Sequence, residues 1–75
     1  MKADIIVDTK GLACPMPIVK ARKAITAMKT GQVMEVLSTD KGSLNDFRAW
    51  VSQTKNELIA HEEQNGEYRF WVRKL

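Results

Sequence analysis

Gly11-Leu12-Ala13-Cys14-Pro15-Met16-Pro17 runs directly into Ile18-Val19-Lys20-Ala21-Arg22-Lys23, at the point where a strand-like run gives way to helical spacing. This stretch holds the only cysteine and both prolines of the chain. Glycine lets the backbone turn sharply. Proline has a fixed φ and no N–H, so it fits the first turn of a helix and nowhere deeper. Cys14 is therefore expected at or just before a helix N-terminus, with its sulfur exposed. The partial positive charge there favours a thiolate over a thiol. Pro15 offers no N–H, so the donors must come from Met16 or from residues after Pro17, and the expected lowering of the thiol pKa is modest. Lys10 and Lys41 are candidates to add positive potential.

Upstream, Asp4-Ile5-Ile6-Val7-Asp8 is β-branched and apolar and reads as a short strand, with the turn over residues 9–13. Downstream, from about Pro15 to Met28, Ile18, Ala21, Ile25 and Met28 share one helical face. Lys20, Lys23 and Ala27 fall opposite, and Gly31 is the expected stop. Val33-Met34-Glu35-Val36-Leu37 reads as a second strand. A second helix then turns Leu44, Phe47, Trp50, Val51 and Thr54 inward and Asn45, Ala49 and Ser52 outward. Asp40 is the favoured cap, its side chain accepting from the Ser43 N–H; Ser43 with Asp46 three residues on is the rival.

Asn65-Gly66 asks for a two-residue type I′ hairpin. Gln64 then faces Glu67, Glu62 faces Arg69, His61 faces Phe70 and Ile59 faces Val72. Ile59, Phe70 and Val72 share one face; Arg69, Trp71 and Arg73 share the other. A bulge near the turn would swap these faces. The order β-α-β-α-β-β, with each helix needing to bury one stripe, predicts an α+β fold. The expected architecture is a two-layer sandwich: a mixed four-stranded sheet with both helices on one face. Parallel strands joined through a helix are expected to cross over right-handed.

At 75 residues the chain makes one domain, 1–75, near the lower limit for a self-supporting core. A hydrophobic content of 44% with 28% charged residues suits a globular protein and not a disordered one. One cysteine excludes an intrachain disulfide, a Cys-x-x-Cys redox pair and a four-cysteine zinc site. One histidine, His61, excludes a multi-histidine metal site. Ile5-Ile6-Val7 is too short an apolar run for a secretory signal or a membrane span. The cytoplasm, where thiols stay reduced, is the expected location. A net charge of +3 admits nucleic acid or an acidic protein partner and demands neither.

The cysteine stretch resembles the Cys-Pro-x-Pro mark at the first helix of the TusA/SirA family of small sulfur carriers. The likeness spans the whole chain. It takes in Asp8 before the glycine, Arg22-Lys23 in the helix, Met28 and Gly31 at its end, and Asp40 before the second helix. Tyr68-Arg69-Phe70-Trp71-Val72-Arg73-Lys74 matches the closing strand. The resemblance implies the same two-layer fold. It also implies that Cys14 takes a sulfane sulfur from the persulfide of a donor protein, such as a cysteine desulfurase or a rhodanese-like protein. Cys14 would hold that sulfur as a persulfide and pass it to an acceptor protein. Such a chain is one half of a sulfurtransferase reaction rather than a free-standing enzyme, and it needs no cofactor. We expect it to act as a monomer, without a membrane.

On the same resemblance, Gly11, Pro15, Pro17 and Asp40 shape the site, although capping a helix is explanation enough for Asp40. Met16, Arg22 and Lys23 are the candidate docking residues. Met16 stands where carriers for tRNA thiolation typically have an acidic residue, and Ala13 where they have arginine. Donor, acceptor and pathway therefore stay open.

Other readings of the residues compete. Free cysteine is among the most buried residue types, so Cys14 as a structural thiol is the plain alternative. Pro15 and Pro17 could simply start a helix. A Cys14–His61 dyad is conceivable. Arg69, Trp71 and Arg73 on the open sheet face would make a small basic-aromatic platform for nucleic acid, the runner-up function. A thiol redox sensor would need a resolving thiol on another molecule.

Overall fold

Strand β1 (Ile5–Thr9) leads through a loop into helix α1 (Met16–Thr26), and strand β2 (Val33–Ser38) leads into helix α2 (Ser43–Thr54). Strands β3 (Glu57–Gln64) and β4 (Glu67–Arg73) follow as a hairpin. This is a computed structural model, and it describes residues 2–75. The sheet order is β1-β2-β4-β3. Strands β1 and β2 are parallel, with Val7 opposite Val36, while β4 inserts antiparallel to both β2 and β3. The sheet is mixed, as expected from a β-α-β unit followed by a hairpin.

Alternation decides which side of the sheet is covered. Ile5 pairs with Met34, Met34 with Val72, Val7 with Val36 and Val36 with Phe70, so these residues line one face. Ala21 and Ile25 of α1, with Phe47, Trp50 and Val51 of α2, join them in one core cluster. Both helices therefore lie on that face. Phe47 is fully buried; it stacks on Phe70 at 4.6 Å and meets Trp50 edge-on at 5.7 Å. Among the described residues, no helix is long and apolar enough to cross a membrane.

The helix ends depart from expectation. Helix α1 stops at Thr26, and the Ala27 N–H closes it on the carbonyls of Ala24 and Ile25. Gly31 (φ +90°) belongs instead to the turn into β2, where its N–H donates to the Lys74 carbonyl at 2.7 Å. Helix α2 is capped by Gly42, with no side-chain hydrogen bond. The Ser43 N–H does reach Asp40, but its acceptor is the Asp40 backbone carbonyl at 3.1 Å. Ser43 is no cap either; it is buried and shares a 2.6 Å hydrogen bond with the Ser38 hydroxyl. Thr54 is exposed rather than inward, and its hydroxyl folds back to the Trp50 carbonyl at 2.8 Å.

Asn65 (φ +55°) and Gly66 (φ +80°) supply the two positive φ angles that a type I′ turn requires. Gln64 faces Glu67, Glu62 faces Arg69 and His61 faces Phe70, as the turn dictates. Ala60 still faces Trp71; beyond it the register shifts, and Leu58, not Ile59, faces Val72. A bulge at the far end of the hairpin absorbs one residue, which turn chemistry does not foretell.

Among the described residues, the open face holds no basic-aromatic platform. Trp71 is only 8% exposed, and its Nε1–H donates to Glu35 Oε1 at 3.1 Å. Arg69 pairs with Glu35 and Glu62, and Arg73 pairs with Glu57 at 3.1 Å. The ring is covered and the charges are matched, so a stacking surface for a base is absent there.

Phe47→Ala should lower stability by about 3–5 kcal/mol, against a total of about 4–11 kcal/mol for a domain of this length. Gly66→Ala should cost about 1 kcal/mol, because an L residue at its positive φ is disfavoured. Urea unfolding midpoints test both; a Phe47→Ala midpoint equal to that of the parent would contradict the packing described.

Candidate functional site

Two loops meet at the edge where the parallel strands β1 and β2 end. In the first, the Lys10 N–H donates to Asp8 Oδ1 and the Leu12 N–H to the Thr9 carbonyl. Gly11 sits between them at φ +85°, a left-handed conformation that favours glycine. Its N–H donates to Thr39 Oγ1 of the second loop at 2.9 Å. In that second loop the Asp40 N–H donates to Ser38 Oγ at 3.1 Å. The Gly11–Thr39 bond, from a backbone N–H to a side-chain hydroxyl, joins the two loops.

Cys14 is exposed and stands at the start of α1, two residues before the first helical position. Pro15 occupies the cap position, and Pro17, buried, lies in the first turn. Both prolines are where their chemistry allows, and Cys14 is no structural core thiol. The Cys14–Pro15 peptide is cis.

The electrostatics at the sulfur run opposite to the expectation. The Cys14 thiol is pushed above its ordinary pKa. The largest cause is its hydrogen bond to the Asp46 carboxylate; partial desolvation and the negative charges of Asp46 and Asp40 add to it. Cys14 Sγ, one Asp40 oxygen and one Asp46 oxygen all lie within 4.8 Å of one another. Lys10 and Lys41 do not set the sign of the local charge. The helix end is weak at this point for a local reason. Pro15 and Pro17 have no N–H, and the Met16 N–H is spent on the Ala13 carbonyl at 2.9 Å.

Asp40 and Asp46 converge over Gly42. A Cβ built there would lie 3.5 Å from Asp40 Oδ2 and 3.8 Å from Asp46 Oδ2. Asp40 Oδ2 is buried without a hydrogen-bond partner among the described residues. Cys14, Asp40 and Asp46 are also the group of described residues whose donor atoms could meet at one cation. Acidic side chains gather in this way without an ion, and the cluster acts here through its charge.

A groove of about 500 Å³ opens beside the sulfur, between the two helices. Cys14, Ile18 and Arg22 line one wall, and Asp46, Ala49 and Trp50 the other. On the opposite flank of α1, Met16, Val19, Lys20 and Lys23 border a second depression. Met16 and Val19 are 41% and 43% exposed. The structure therefore separates the three candidate docking residues: Arg22 lies on the sulfur side, and Met16 and Lys23 on the other. His61 does not join Cys14; its Nε2 lies 3.4 Å from Arg48 Nη2 on the hairpin side. Asp46 is the residue that the sequence reading passed over as a site member. Its position three after Ser43 suggested a capping box, and nothing local tied it to a cysteine 32 residues earlier.

Residues 5–74 match the family model described as sulfurtransferase TusA. The chain is 43% identical over 74 residues to the putative sulfur carrier protein YrkI of Bacillus subtilis, covering 99% of both chains. It is 46% identical over 67 residues to the sulfur carrier protein TusA of Allochromatium vinosum, covering 89% of this chain and 88% of that one. A crystal structure of a SirA-like protein from Desulfitobacterium hafniense superposes with a TM-score of 0.81 over 92% of this chain and 95% of that one. At 24% identity that structure speaks to the fold alone.

Iodoacetamide alkylation of the native protein should rise with pH through a midpoint above about 8.5, the ordinary cysteine value. Asp46 and Asp40 oppose the thiolate, so reactivity arrives late as pH increases. A midpoint below that value would mean that a positive group, not a carboxylate, governs the sulfur.

Proposed function

The chain belongs to the TusA sulfurtransferase family, and on that premise we propose that Cys14 is the residue on which this sulfur carrier bears its sulfur. One observation carries the reading: the only thiol of the chain is exposed, at the tip of a helix and the mouth of an open groove. A partner's active-site sulfur can reach it without any part of the domain opening.

Loading is an exchange between sulfur atoms, of the same elementary kind as thiol–disulfide exchange. The Cys14 sulfur attacks the outer sulfur of a donor protein's persulfide. The donor's S–S bond breaks, its thiolate leaves, and the proton of Cys14 ends on that thiolate. Cys14 then holds a persulfide, and the same step run against an acceptor thiol delivers the sulfur. Atoms and electrons balance between the two proteins, so the exchange needs no cofactor.

Gly11, Pro15 and Pro17 would fix the direction in which the sulfur points, with Asp40 beside it. Met16 and Lys23 on one flank of α1, and Arg22 on the other, would meet the donor and the acceptor. A single domain over 1–75, acting as a monomer in a reducing, cytoplasmic setting, completes the proposal.

Incubation with a cysteine desulfurase and cysteine should add one sulfur atom to the intact mass, and Cys14→Ser should abolish the gain. No uptake from any sulfane donor would refute the assignment. Lys23→Glu should slow loading from an acidic protein donor several-fold and leave loading from a small persulfide unchanged. Equal slowing with both donors would remove Lys23 from the docking surface.

A further inference from the structure

The carboxylates beside the sulfur are not required by the relay as such, and their role is inferred here on the reading of Cys14 as the sulfur-bearing residue. Asp46 approaches from the first turn of α2 and Asp40 from the β2–α2 connection, each with an oxygen within 4.8 Å of Sγ. Helix α1 contributes Arg22 to the same groove, as the cation facing them. We propose that Asp46 sets how loosely the carrier holds its sulfur: its carboxylate destabilises the persulfide anion on Cys14 and stabilises the empty, protonated thiol.

The chemistry gives this a direction. A persulfide is a stronger acid than the thiol it is built on, so near neutral pH the loaded carrier is Cys14–S–S⁻ and the empty one is Cys14–SH. Delivery reads Cys14–S–S⁻ + R–SH → Cys14–SH + R–S–S⁻. The acceptor sulfur bonds to the outer sulfur, the S–S bond at Cys14 breaks, and the acceptor's proton ends on Cys14. Neither an external oxidant nor a reductant enters. On the left, an anion sits beside two carboxylates. On the right, a neutral S–H lies beside them. Like charges repel the first state and leave the second unopposed. The outer sulfur is only about 2 Å beyond Sγ, so its charge stays within the field of Asp46. The raised thiol pKa has the same cause and the same sign.

The test is an equilibrium, read on the full-length protein. Wild type, Asp46→Asn, Asp46→Ser and the remote charge control Glu63→Gln are each mixed with glutathione persulfide over a range of glutathione. Intact mass gives the fraction loaded, and circular dichroism verifies the fold of each variant. Both Asp46 variants should retain sulfur roughly fivefold more strongly than wild type, the worth of one unit charge about 4 Å away in a water-like medium. Glu63→Gln should match wild type. The gap should narrow in molar salt, which screens exposed charges. A partition for Asp46→Asn equal to or below that of wild type would overturn the proposal, as would a gap indifferent to salt. Failure of wild type itself to take up sulfur would instead sink the reading of Cys14, a result that cannot be mistaken for the first two.

Discussion

The hydrogen bond from the Gly11 N–H to Thr39 Oγ1, 2.9 Å long, is the constraint on which the sulfur's surroundings depend. Parallel pairing of β1 with β2 already delivers both strand-to-helix loops to one edge of the sheet. That pairing alone leaves the loops free to splay. The Gly11–Thr39 bond joins them, and it needs Gly11 at a positive φ to aim the N–H across. The Ser38–Ser43 hydroxyl pair then sets how β2 turns into α2, and the Ser43 N–H on the Asp40 carbonyl tightens that turn. These short links bring the segments that carry Cys14, Asp40 and Asp46 together.

Most of the fold was legible in the chain, for reasons that can be named. Periodicity reports burial, and burial is what holds a domain of this size together. Ala21, Ile25, Met28, Phe47, Trp50 and Val51 were marked inward by helical spacing and are buried. Asn65-Gly66 specifies its turn because two consecutive positive φ angles exclude nearly every other pair of residues. The misses lie where backbone groups satisfy one another without help from side chains. Ala27 closes α1, and Gly42 opens α2 without a side-chain cap. The bulge between Leu58 and Ala60 answers to packing across the sheet, which no local pattern records.

The site was half legible. Proline chemistry placed the sulfur at a helix start, exposed, because the rule concerns only neighbours in sequence. Its charge environment was misread for a matching reason. Helix-end charge follows from local sequence, whereas Asp46 arrives from the next helix through tertiary packing. The two influences then differ in strength. Prolines at the cap and in the first turn remove the N–H groups that would carry the helix effect, while a carboxylate oxygen within 4.8 Å acts directly. The nearer, full charge wins over the depleted, partial one. Trp71 failed as a platform by the same logic, since Glu35 on the neighbouring strand takes its N–H and pairs with Arg69.

These surroundings suit a carrier better than a permanently activated thiol would. A nucleophile that is always ionised attacks whatever sulfur it meets, which is the wrong bias for a protein that must react only with its partners. A thiol kept protonated by adjacent carboxylates is quiet in the empty state. Loaded as proposed, Cys14 would carry its persulfide against the same charges. On the proposed reading, loading would depend on a partner that supplies favourable contacts at the groove and along α1, where Arg22, Lys20 and Lys23 give the surface a sign opposite to that of the site. On that reading, attraction over the helix and repulsion at the sulfur would act on different atoms, so the domain could draw a protein in without retaining what it carries.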